Sequence, residues 1–104
     1  MDNDILKALL TLATKEHTNL PFTVGEKVYI RTVTHHQTGR IKDIVGNFIV
    51  LEDAAWIADS GRWMEAINDG SLNEVEPVNC LVRVNVESII DVYEWNHDLP
   101  KKQK

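Results

Sequence analysis

The side chains that could do chemistry in this chain are few, and they come in short clusters. His35 and His36 are adjacent, while His17 and His97 stand far off in sequence. Neighbouring residues of an extended hairpin face opposite sides, so the two rings cannot readily share a metal, and no Cys or His spacing matches a zinc site. Glu52, Asp53 and Asp59 offer carboxylates for acid–base or Mg²⁺ chemistry. That work needs matched positions in a cleft and a partner nucleophile, which the sequence does not supply. Strand-end and capping acids explain the same residues. Trp56 and Trp63 flank the string Asp59-Ser60-Gly61-Arg62. An indole next to a guanidinium can hold a base by stacking and charge, which makes Trp63 a stacking candidate with Arg62, and Arg40 a further cation. The structural alternative has Trp63 pinning a helix to the sheet and Trp56 filling a subunit interface, where Trp and Arg are enriched. The residues predict no catalytic centre, no metal and no cofactor. They read as a binding protein and not an enzyme.

Composition narrows the partners. The 104 residues fit one domain with a modest core. Sixteen acidic against 11 basic residues give a net charge of −5. Phosphate neutralisation needs clustered Lys and Arg, so this balance argues against non-specific binding along duplex DNA. It leaves room for a local site that takes a short strand or one nucleotide. The single cysteine, Cys80, cannot close an internal disulfide; it fits a reducing compartment and reads as a small buried residue leading into a strand. No run approaches the ~20 apolar residues that span a bilayer, and no basic leader precedes an apolar segment. The expectation is a cytoplasmic protein.

The elements that must position these residues follow from periodicity. Ile5, Leu9 and Leu12 recur at helical spacing behind the caps Asp2 and Asn3, which predicts a helix over about 3–15. Strands are expected over 27–34, 37–45 and 48–53, the last able to run on to 57, with a tight turn at Gly46-Asn47. Gly39 sits inside the second strand, where a glycine signals a sharp bend or a close approach. A short helix with Asp59 or Ser60 as N-cap, an apolar face of Trp63, Ile67 and Met64, and Gly70 as its stop follows. The segment 71–79 reads as an acidic, solvated loop. Strands over 81–86 and 89–95 are joined by a corner at Glu87-Ser88, and 96–104 is expected to be disordered.

This order, with Thr38-Gly39-Arg40-Ile41 leading through Ile49-Val50-Leu51-Glu52-Asp53-Ala54, resembles the Sm-like family of Sm, LSm and Hfq-type proteins. The Gly39 to Asp53 spacing looks like the shorter, Hfq-type version, and the helical insertion after the third strand resembles longer prokaryotic and phage-type relatives. The resemblance implies a mainly β (α+β) fold: one Sm-like domain in which an N-terminal helix caps a small, strongly bent five-stranded antiparallel barrel. It also implies a non-enzymatic, RNA-binding ring in which Asn47, Arg83 and Asn85 approach one another on the inner face. There Arg can stack on a base or hold phosphate, and Asn can read a base edge. Turn chemistry accounts for Asn47, and strand exposure for Arg83, equally well.

Unpaired apolar edges on the last two strands would be a liability in a monomer. Pairing them head to tail between copies closes a ring of roughly five to seven subunits. The expected function is a homo-oligomeric ring that binds single-stranded RNA or short oligonucleotides. A nucleotide-sequestering oligomer built on Trp63 and Arg62, or an acidic protein-interaction scaffold, are the alternatives.

Overall fold

A computed structural model of the chain describes residues 20–104. The helix expected over about 3–15, and His17, lie outside those residues. The remainder folds as β1 (Lys27–Thr32), β2 (His36–Val45), β3 (Phe48–Asp59), α1 (Trp63–Asp69), β4 (Glu74–Pro77), β5 (Val82–Asn85) and β6 (Ile89–Glu94). All pairings are antiparallel, in the order β4-β3-β2-β1-β6. The far edge of β3 is shared: Phe48 to Leu51 pair with β5, and Ala55 to Asp59 pair with β4.

Two devices bend the sheet. Gly39 lies so close to β3 that a Cβ placed on it would sit 3.1 Å from Leu51 Cβ. Here the glycine is needed for a close approach of backbone to side chain. Fourteen residues on, the β2–β3 register slips between the pairs Thr38↔Ala55 and Arg40↔Glu52, and Asp53 takes φ +50. This is a β-bulge with its extra residue left-handed, a conformation Asp tolerates better than most side chains. The bulge exchanges the faces of β3. Before it, Ile49 and Leu51 join Val28, Ile30, Ile41 and Val84 in a first buried cluster. After it, Ala55 and Ile57 join Tyr29, Ala66, Leu72 and Trp95 in a second.

Strand β1 is consequently buried on both sides, with Val28 and Ile30 in one cluster and Tyr29 in the other. The second cluster exists because α1 and the segment 96–104 cover the outer face of the sheet. A sheet face with no cover would leave Tyr29 and Trp95 in water, at a cost of roughly 1.5–3 kcal/mol for each large apolar side chain left exposed.

Several expectations are corrected. The sheet has six strands and not five, because the segment 71–79 contains β4. Its single apolar residue, Val75, is 2% exposed against the second cluster. The helix is not capped by Asp59 or Ser60: its N-cap is Arg62, with no side-chain bond, and Asp59 Oδ1 instead accepts from Gly61 N at 2.8 Å. Met64 is exposed and Ala66 carries the buried face. Gly70 does end α1, in a left-handed conformation with its N–H bonded to Ala66 O. Cys80 is exposed, not buried. The segment 96–104 is held in place. Leu99 is 6% exposed, Trp95 Nε1 donates to Asp98 O at 3.1 Å, and Lys104 exchanges two backbone bonds of 3.0 Å with Val75. Its few apolar anchors are too sparse to show as a periodic pattern.

Candidate nucleic-acid interface

Alternation along β3 turns Phe48 and Val50 away from the first cluster, and the register sets Asn85 opposite Phe48 and Arg83 opposite Val50. On the other side β2 places Val45 beside Phe48 and Asp43 beside Val50. A second register slip, between Ile41 and Asp43, projects Lys42 at the same end of β2. Together Lys42, Asp43, Val45, Phe48, Leu81 and Arg83 wall a shallow groove of about 390 Å³. Its floor is apolar, with Phe48 43% and Val45 58% exposed. Among the described residues neither Lys42 nor Arg83 forms an ion pair. An exposed ring in one groove with two cations can stack one base while both charges hold the backbone.

The predicted residues divide between this groove and the rest of the molecule. The tight turn Gly46-Asn47 is present between β2 and β3, with Gly46 at φ +57. Val86 N donates to Asn47 O at 2.8 Å, so Asn47, Asn85 and Arg83 do lie at one end of the sheet. The Asn85 side chain is partly engaged: its Oδ1 accepts from Glu87 N at 2.9 Å and caps the 3-10 turn Val86–Ser88. Among the described residues its amide N–H groups make no hydrogen bond. Arg40 is elsewhere, at the bulge, 3.3 Å from Asp53 Oδ2. Lys101 reaches the same carboxylate at 3.2 Å. Arg62 stands exposed before α1, away from the groove.

Trp63 is enclosed. Its ring meets Tyr29 and Tyr93 edge-on at 5.2 and 5.0 Å, and Arg31, not Arg62, lies over it at 5.4 Å. Arg31 in turn grips Asp91 through both its Nε, at 2.6 Å, and its Nη2. This pair holds the Asp91 carboxyl below the usual carboxylate range. Burial pushes the Tyr29 phenol up to about 12, and burial together with Arg31 lowers the His36 imidazole. Tyr29 Oη and His36 Nδ1 are 2.8 Å apart. These groups clamp α1 to the sheet, and the guanidinium over Trp63 is that of Arg31 in place of Arg62.

Two archaeal Sm proteins are similar to this chain. One is a heptameric archaeal Sm protein, 18% identical over 79% of this chain and 96% of its own, with a TM-score of 0.49. The other is the SmAP1 heptamer of P. aerophilum, also 18% identical over 79% of this chain, covering 88% of its own length, with a TM-score of 0.49. No family model and no curated protein matches the chain.

Sequence reasoning missed Phe48 and Lys42. Phe48 had a signal: it directly follows a Gly-Asn turn and precedes an inward Ile49, so alternation turns it outward. Lys42 had none, because its direction depends on a bulge.

Proposed function

We propose that the chain is a non-enzymatic binder of single-stranded RNA or short oligonucleotides that works as a homo-oligomeric ring. The observation that carries this reading is the exposed Phe48 ring sharing one groove with Lys42 and Arg83. Stacking on Phe48 is indifferent to base identity, and the two cations draw in a phosphate backbone despite the net charge of −5. Asn47 and the free amide of Asn85 lie at the end of the groove, where an unstacked base edge would come within reach.

The ring reading rests on sheet edges. Strand β5 pairs only with β3, and β6 only with β1, so each leaves one edge open among the described residues. Leu81, beside β5, is 37% exposed and Ile90, on β6, is 60% exposed. Pairing β5 of one copy with β6 of the next removes both edges at once and repeats the groove around the assembly.

Fluorescence anisotropy with short single-stranded RNAs tests the reading. Wild type should bind in a salt-sensitive manner. Phe48→Ala should weaken binding about fivefold or more, and Arg83→Ala should weaken it while flattening the salt dependence. Binding that ignores salt, or that survives both substitutions unchanged, defeats the proposal.

A further inference from the structure

A second exposed aromatic surface lies beyond the bulge. Trp56 is 44% exposed and points to the side of the sheet opposite Ala55 and Ile57. Phe48, before the bulge, points to the side opposite Ile49, so the two rings serve opposite faces. The register sets Gln37 of β2 and Glu76 of β4 on either side of Trp56. Gln103 Nε2 donates to Glu76 Oε1 at 3.3 Å and adds a fourth side chain to the row. The ring of His35 stands 5.9 Å from the indole, tilted by 56°. The backbone pairing of Lys104 with Val75 sets Gln103 on the face of Trp56 and Glu76 and turns Lys102 and Lys104 to the opposite face, where both border a cavity with Val75, Trp95 and Leu99.

This row has a definite chemistry. An indole face stacks on any base. A carboxylate only accepts hydrogen bonds, and its two oxygens match two N–H donors set side by side. Among the four bases, guanine presents that pair, N1–H and the 2-amino group, on its Watson–Crick edge. Adenine and cytosine would set a ring-nitrogen lone pair against the carboxylate, and uracil offers one N–H between two carbonyls. The amide of Gln103, once released from Glu76, can donate to guanine O6.

We infer that Trp56, Glu76 and Gln103 form a guanine-base site on a face of the sheet separate from the Phe48 groove. It is independent of the ring reading.

Titrating the full chain with GMP, AMP, CMP and UMP, by calorimetry and by tryptophan emission, tests the site. GMP should bind about tenfold or more tightly than the others, the discrimination of one good bidentate pair. Trp56→Ala should weaken GMP about fivefold or more. Glu76→Gln should erase the preference for guanine in a protein that still folds. Arg83→Ala should leave GMP binding intact while weakening RNA, which separates this site from the groove. In the Phe48→Ala protein, which lacks the stacking ring of the groove, an oligonucleotide with one internal guanine that binds more tightly than GMP would make a strand the source of the base; weaker binding would make it the free nucleotide. Equal affinity for all four nucleotides, no saturable binding of GMP, or binding unchanged in Trp56→Ala overturns the proposal.

Discussion

Gly39 and Leu51 show how little space the bend allows. With 3.1 Å between an added Cβ and Leu51 Cβ, Gly39→Ala must push the second and third strands apart by a few tenths of an ångström. It should cost about 1–3 kcal/mol, as overpacking does, read as a lower midpoint in urea unfolding. The cost should shrink in a Leu51→Ala background, because the two sites share one contact; an equal cost in both backgrounds would mean that the glycine serves some other need. Gly39, the Gly46-Asn47 turn and the Gly70 helix stop were legible in the sequence, since each is a local backbone requirement that few residues meet. Asp53 was not. Its left-handed conformation is imposed by strands on both sides of it, and an aspartate at a strand end looks ordinary. Arg83, Asn85 and Asn47 were legible as neighbours, whereas Phe48 emerged only once the facing of β3 was known.

At the scale of elements, α1 and β4 form an insertion that the sheet accepts because β3 runs on past its bulge. The join is fastened by charge as well as by packing. Arg31 and Asp91, sixty residues apart in sequence, bridge β1 to β6 beneath Trp63. No local pattern could announce such a pair. Nor could β4 be read from Glu74-Val75-Glu76-Pro77, where one apolar residue among acids looks like a solvated loop.

The clamp also has a pH dependence with a fixed sign. The folded chain resists protonating His36, whose imidazole is held below its ordinary value of 6.5, while the unfolded chain takes the proton freely. Stability should therefore be full above about pH 6.5 and fall as the pH drops below it. Asp91, held low by Arg31, adds its own loss only in the acid range below about pH 4. At the other end, Tyr29 keeps its proton up to about 12, so stability should decline as pH rises from 10 toward 12. Urea midpoints at about pH 7 and pH 5.5 check the His36 step: wild type should lose stability between them, and His36→Gln should lose less. An equal loss in both proteins would place the titrating group elsewhere.

For the whole molecule, the decisive feature is which edges of the sheet stay open. The edge of β4 is answered by Lys104 of the same chain, while β5 and β6 end the sheet with exposed apolar residues beside them. No helix among the described residues is long and apolar enough to cross a membrane. Pairing with a second copy of the chain would close the open edges. The proposed base-stacking groove lies next to one of them, so that assembly and binding would share β5. The most direct measurement is the mass of the protein in solution, by size-exclusion chromatography with light scattering at micromolar concentration. The account predicts one closed species of several chains, its mass an integer multiple of the chain mass and unchanged on dilution. A monomer, or a ladder of masses that grows with concentration, would contradict it.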